Sequence, residues 1–313
     1  MLKPLNIAPI DMQLPIDIIS SKGIGKRLLV TLILMFSGAL FLTGCVKLAL
    51  KFSPSLIPNL TQTFFEECDA DLARQSLPAD LKLMEGLLRN DPDNKKLLTA
   101  LCMGFTGYAM LFVEDEAPKR ASSLYLRARA YGLKAIGLDE PLSMKDRLKT
   151  GTFDVRLLAL GKEEVEALFW ATTAWNAWIN LNLDKPAALA QLSKAKACLE
   201  RILDIKPDYY YGAPYIMMGS ILAARPAVLG GDHVKAREYF EKAMHISHRK
   251  FFLAHYCFAK YYAVRVQNKE LFLKLIKEVD STSPDELNEV CLINTVMKEK
   301  SRLLKYMVEE LFI

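Results

Sequence analysis

The sequence is poor in the residues and motifs that mark several large classes of protein. It has 15 glycines and 14 prolines among 313 residues, too few for a disordered, collagenous or low-complexity chain. Its net charge is only +5, and the basic residues form no stripe of the kind that binds nucleic acid. It contains neither an Asn-Gly nor an Asp-Gly hairpin turn and no alternating run of β-branched residues, so β-strands are not indicated.

The sequence also lacks the residue combinations that catalysis or metal binding needs. His245, His248 and His255 lie near Cys257, but no acidic residue is placed like the glutamate of an HExxH motif. There is no GxSxG motif and no recognisable Ser-His-Asp arrangement. We therefore predict that the protein is not an enzyme and holds no metal ion and no non-covalent cofactor.

The clearest feature that is present lies near the N-terminus. A basic segment ending in Lys26-Arg27 precedes an uncharged run over residues 28–42, which is shorter than the roughly 20 residues that a membrane-spanning helix needs. This pattern predicts a signal peptide over residues 1–44. The run ends in Leu42, Thr43, Gly44 and Cys45.

The sequence Leu-Thr-Gly-Cys resembles the lipobox of bacterial lipoproteins, in which cleavage leaves the cysteine as an acylated N-terminus. The resemblance implies that Cys45 carries a diacylglycerol and anchors a periplasmic protein to a membrane, because several acyl chains together give stable anchoring. We divide the remainder into a lipidated tether over residues 45–60 and a helical domain over residues 61–313. An uncleaved transmembrane helix is the alternative.

Five further cysteines are present, and none forms a CxxC pair. The odd number leaves at least one of them unpaired within the chain. Cys102, Cys198, Cys257 and Cys291 lie within apolar helical patterns, which favours buried free thiols. A disulfide between two of these cysteines is the alternative, because spacing alone does not decide pairing.

From about residue 60 onward, apolar residues recur at helical spacing between helix breakers, of which Pro78 is one. Asp80, Asp232 and Ser283 are predicted helix N-caps, because each has a side-chain oxygen that can accept from free backbone N–H groups.

The clearest helical segment spans residues 231–248. Ala236, Phe240 and Ala243 lie on one face of it, and the pattern resembles the second helix of a tetratricopeptide repeat, in which small residues allow helices to pack closely. Partial copies supply further packing positions at Ala195, Leu199, Pro207 and Gly219. We predict an all-α fold of cryptic tetratricopeptide-like helix pairs, stacked in one α-solenoid-like domain. An ordinary all-α domain is the alternative.

Large aromatic residues recur in two parts of this domain. Three tryptophans fall within nine residues of one predicted helix, and a run of tyrosines opens the next repeat. Core packing is one interpretation, because large aromatics dominate protein cores. The other is the wall of an apolar channel or groove. The candidate residues for that wall are Trp170, Trp175, Trp178, Tyr209, Tyr211 and Tyr215.

The lipobox, the chain length and the cryptic repeats together resemble the TatT family, the tetratricopeptide-repeat lipoproteins associated with tripartite ATP-independent periplasmic (TRAP) transporters. The most specific part is the segment 226–243. The resemblance implies a homotrimeric adaptor that binds a DctP-like solute-binding protein and passes a hydrophobic solute toward the permease. A repeat scaffold in envelope assembly is the alternative function.

Overall fold

The computed structural model describes residues 53, 55–139 and 152–312, of which 79% are helical and none forms a strand. The predicted all-α fold is therefore confirmed. Ser53–Ile313 forms one compact unit. The predicted signal peptide and Cys45 lie outside the described residues, so lipidation stays a prediction.

The main helices are α1 Leu56–Glu66, α2 Ala70–Leu88, α3 Lys95–Tyr108, α4 Pro118–Ala135, α5 Phe153–Ala159, α6 Val165–Asn180, α7 Leu192–Ile205, α8 Tyr209–Ala224, α9 His233–Ile246, α10 Phe252–Cys257, α11 Lys269–Ser281 and α12 Cys291–Tyr306. Wider π-helical turns extend α3 over Ala109–Val113 and α10 over Phe258–Ala263. One-turn helices lie at Pro186–Leu189 and Val308–Leu311. Tighter 3₁₀ turns lie at Lys162–Glu164, Ala227–Leu229 and Pro284–Val290.

Neighbouring helices pack closely where a glycine of one helix faces the next helix. A Cβ at Gly219 of α8 would lie 3.1 Å from the ring of Phe240 and 3.2 Å from the backbone oxygen of Ala236, both on α9. A Cβ at Gly132 of α4 would lie 2.7 Å from the Cβ of Ala171 on α6. The small residues therefore set the distance between helices in the stack.

The two ends of the helical stack meet, which closes the domain into a ring. Helix α12 packs against both α1 and α2. A disulfide joins Cys68, which lies between these two N-terminal helices, to Cys291 at the start of α12. Lys300 of α12 also donates a 3.0 Å hydrogen bond to the Met110 carbonyl and pairs with Asp115 at 2.6 Å.

The disulfide corrects one expectation from the sequence. Cys291 is fully buried, but it is a half-cystine rather than a free thiol. The other three cysteines of the helical patterns are free and buried, as expected: Cys102, Cys198 and Cys257. The pairing joins residues 223 positions apart, so only the folded chain brings the two sulfur atoms together.

Two helix boundaries also differ from the expected ones. Helix α2 runs through Pro78, and Asp80 lies inside it rather than at its start. Asp69 is the N-cap instead, and its carboxylate accepts from the amides of Asp71 and Leu72. The helix tolerates the proline because Leu77 and its other apolar residues stay buried on one face.

At the N-terminus, α1 begins at Leu56, inside the segment expected to be a tether. Pro58 permits this because it lies in the first turn, where backbone N–H groups have no partner within the helix. Asp232 caps α9 as expected and accepts from the Lys235 amide at 3.0 Å. Ser283 does not cap the following turn, because its hydroxyl donates to the carboxylate of Asp285.

Among the described helices, α3 with its π-helical extension is long and apolar enough to cross a membrane. The fold buries 78% of this segment, Lys95–Val113, which is the pattern of a core helix.

Candidate ligand-binding site

A cavity of about 540 Å³ lies where the ends of several helices converge. Helix α1 forms one wall, and the turn from α7 to α8 forms another. Single residues of α3, α6 and α9, together with the turn before α12, complete it. The lining residues are Pro58, Thr61, Gln62, Phe65, Met103, Glu166, Lys206, Asp208, Tyr209, Tyr210, Tyr211, Ile246 and Glu289.

The tyrosine run lines this cavity because its backbone takes an unusual path. Tyr210, Tyr211 and Gly212 have φ angles of 46°, 59° and 78°, so three consecutive residues are left-handed. A Cβ at Gly212 would lie 3.1 Å from the Cα of Ala243, which explains the glycine. The two tyrosines are strained in this region, and such strain persists only where packing holds it in place.

That packing comes from a cluster of aromatic rings beneath the cavity. The Tyr210 ring contacts Trp170 edge-on at 5.4 Å between centroids and Phe65 at 6.0 Å. Trp170 stacks on Phe65 at 5.8 Å, and Tyr211 lies 5.7 Å from Phe251. The rings therefore form one continuous aromatic wall and floor.

Of the six residues expected in a channel wall, the structure brings three to this site. Tyr209 and Tyr211 line the cavity, and Trp170 lies under it. The other three, Trp175, Trp178 and Tyr215, are not among its lining residues.

Trp175 and Trp178 instead form a structural cluster around Arg129. The guanidinium group lies over both indole rings, at 5.0 and 5.4 Å from their centroids. The Trp175 Nε1 donates to Gln191 at 2.8 Å. Tyr215 stacks on Tyr239 at 5.5 Å. The helical spacing of the sequence predicted that these residues lie on helices. It did not distinguish residues that line the cavity from residues that pack in the core.

Glu166 is one of three carboxylates in the cavity wall. It forms no hydrogen bond or ion pair with any residue that the structure describes. Part of its side chain is exposed at the cavity. The residues packed around the carboxyl nevertheless reduce its solvation, which raises its pKa above the ordinary value. Burial also raises the pKa of Tyr209, and the negative charge of Glu166 adds to that increase. The tyrosine hydroxyls therefore stay protonated at neutral pH.

A second, smaller cavity of about 240 Å³ continues the first along α1 and α3. The two share Pro58, Thr61, Met103 and Glu166, so they form a groove that passes beside the Glu166 carboxyl. The far part is lined by Ile57, Lys95, Lys96, Thr99, Ala100 and Glu163.

Sequence reasoning missed three features of the site: helix α1, Met103 of α3 and Glu166. The first five residues of α1, 56–60, were interpreted as the end of a tether. Glu166 follows two other glutamates near a helix start, where acidic residues commonly stabilise the helix dipole, so its cavity position has no local signal. The available signal was that the tyrosine run and Trp170 were both candidates for the channel wall.

The expected repeat-packing residues lie in the helix contacts of the stack. Ala195 and Leu199 are fully buried on α7, as are the three expected residues of α9. Gly219 faces α9, as described above, and Pro207 lies in the turn from α7 to α8, beside the cavity. Within the described part of the chain, no group of three or more histidine, cysteine or acidic residues could hold a metal ion.

The structure defines the protein as an all-α, solenoid-like domain with a cavity lined in part by aromatic rings. The chain belongs to the TAtT family, the TRAP transporter T-components, whose model matches residues 66–312. A protein of Treponema pallidum (strain Nichols), described as uncharacterized, is 26% identical over 310 residues. That alignment covers 89% of this chain and 96% of the relative.

The family resemblance is thus confirmed, and the chain is an accessory component associated with a TRAP transporter. This is a transporter family and not a family of enzymes.

Proposed function

We propose that the protein is a lipid-anchored periplasmic adaptor of a TRAP-type uptake system. It binds a DctP-like solute-binding protein, accepts a hydrophobic small molecule and passes it toward the membrane permease. Family membership supports the transport role, and the aromatic cavity supports ligand binding.

The cavity is the observation that carries the ligand-binding part of this proposal. Its volume falls within the few hundred to a thousand Å³ typical of small-molecule sites. Aromatic and aliphatic side chains supply most of its apolar surface, and a few polar groups could orient a ligand. The strained tyrosine backbone at its wall is typical of a functional site.

The anchor and the assembly state complete the proposal. A diacylglycerol on Cys45 would hold the adaptor at a membrane and raise its local concentration near the permease. A homotrimer would present several such cavities to its partners. The alternative role, a scaffold lipoprotein in envelope assembly, predicts a groove that binds unfolded chains instead of a small molecule.

Sedimentation tests the adaptor role directly. A soluble form beginning at residue 46 contains all of the compact unit Ser53–Ile313. We expect it to sediment as a trimer and to form a complex of defined mass with the DctP-like protein of the same organism. An unrelated solute-binding protein is the control. A form that makes no complex with the DctP-like protein would refute the adaptor role and favour the scaffold.

The same purified form tests ligand carriage. Native mass spectrometry of protein prepared without denaturation or detergent should show a co-purified small molecule, which organic extraction would identify. Protein that is empty in every preparation would count against ligand carriage.

A further inference from the structure

The charges around the cavity favour one class of ligand. Three carboxylates line it, those of Glu166, Asp208 and Glu289, and none has an ion-pair partner among the described residues. Lys206 is the only basic side chain among its described lining residues. An anionic group would therefore meet three like charges and a single opposite one. A cationic group would meet three opposite charges and a single like one.

The aromatic wall adds a second attraction for a cation. Four rings line the cavity, those of Phe65, Tyr209, Tyr210 and Tyr211, with neighbouring centroids about 6 Å apart. The faces of such rings carry partial negative charge and attract ammonium groups. The chain shows this itself, because the Lys206 Nζ lies 5.8 Å from the centroid of the Tyr209 ring.

Part of the groove suits an apolar body. Met103 and Ile246 are aliphatic in the first cavity, and Ile57, Pro58 and Ala100 supply the apolar part of the second, whose lining also includes Lys95, Lys96 and Glu163. A ligand with its head beside Glu166 has room for a chain in this groove.

We propose that the cavity binds an apolar molecule with a positively charged head, either a quaternary ammonium group or a protonated amine. This inference rests on the ligand-carrying role proposed above and names the class of its ligand. The tyrosine rings and Phe65 enclose the head, and the carboxyls of Glu166, Asp208 and Glu289 attract it.

Three probes with apolar chains of similar length, five carbons in hexanoate and six in the other two, separate the contributions of charge and apolar contact. Hexyltrimethylammonium, 1-hexanol and hexanoate carry a cationic, a neutral and an anionic head. We expect isothermal titration of the form beginning at residue 46 to give the tightest binding for the ammonium compound. The expected gain over hexanol is about tenfold, the size of one partly desolvated cation–π contact, and hexanoate should bind most weakly.

Two variants and two matched controls assign the effect to the cavity. Glu166→Gln should weaken ammonium binding several-fold and leave hexanol binding unchanged, because it removes charge without removing volume. Tyr211→Leu removes one ring face and should weaken ammonium binding several-fold. Glu238→Gln and Tyr306→Leu, which change exposed residues on α9 and α12, should leave all three affinities unchanged.

Several outcomes of these titrations would overturn the inference. Hexanoate or hexanol binding as tightly as the ammonium compound would overturn the inference, as would the failure of all three probes to bind at millimolar concentration. An equal loss of hexanol and ammonium binding in Glu166→Gln would also overturn it, because that pattern indicates a structural role. These assays do not contain the DctP-like protein, so they do not test the adaptor role. The sedimentation experiment tests that role separately.

Discussion

Removal of the disulfide between Cys68 and Cys291 should strongly destabilise the ring. The bond joins residues 223 positions apart and ties the segment between α1 and α2 to the start of α12. In the chain-entropy model, a crosslink closing a loop of this length lowers the entropy of the unfolded chain by an amount equivalent to about 5 kcal/mol. Measured values are usually smaller, so we expect a loss of about 3 to 5 kcal/mol.

The test compares a double variant, Cys68→Ala with Cys291→Ala, against the parent in urea. The three tryptophans are buried, so their fluorescence reports unfolding, and far-UV circular dichroism provides a second probe of the helices. Cys198→Ala is the control, because it removes a buried free thiol and closes no loop. It should cost about 1 kcal/mol, the transfer free energy of a small apolar group.

Reduction of the parent protein offers an independent comparison. Dithiothreitol should shift the unfolding midpoint of the parent toward that of the double variant and leave the double variant unchanged. A double variant within about 1 kcal/mol of the parent would refute the reasoning. It would mean that the contacts of α12 with α1 and α2 close the ring without help from the covalent bond.

Three further predictions concern single positions. Gly212→Ala should lower the free energy of unfolding by about 2 to 4 kcal/mol, because the new Cβ meets α9 and the backbone is left-handed; Gly137→Ala, left-handed with open space around it, should cost only about 1 kcal/mol in the same urea assay. Glu278 has its pKa lowered to about 2 by hydrogen bonds from a buried histidine and an arginine, so its stabilisation is present above pH 4.5 and lost as pH falls through 2. Glu278 should account for about 2 kcal/mol of the stability that the parent loses over this range, measured by urea titration at each pH, and a Glu278→Gln variant whose profile is no flatter than that of the parent would contradict the assignment. Cys45→Ala should abolish incorporation of radiolabelled palmitate in cells and leave a precursor of full length; labelling that persists would exclude Cys45 as the acylated residue.

The sequence predicted a helix cap correctly where the cap depends only on neighbouring residues. Asp232 caps α9 because a short acidic side chain before an amphipathic run satisfies a free amide whatever the rest of the fold does. Asp80 has the same local chemistry, yet it lies inside α2, because burial of Leu77 and Leu81 on one face of a continuous helix outweighs the bond lost at Pro78.

The candidate site was less predictable because it depends on contacts between distant helices. The letters Tyr-Tyr-Tyr-Gly are compatible with a helix start, and only packing onto Trp170 and Phe251 holds two of the tyrosines left-handed. The tryptophans of α6 show the same limit. They share one helix and one period, but the neighbouring helices decide that Trp170 lies under the cavity and Trp175 beside Arg129.

Helix α1 connects the proposed anchor with the proposed ligand site. It contributes Pro58, Thr61 and Phe65 to the cavity wall, and its first residue follows Cys45 by only 11 positions. Even a fully extended connection of that length spans at most about 40 Å. If Cys45 carries a lipid, the cavity is therefore held close to the membrane surface. A ligand with an apolar body and a charged head of either sign partitions to that same surface, so the position of the anchor agrees with an amphiphilic ligand, while the positive sign of its charge is argued from the cavity lining alone.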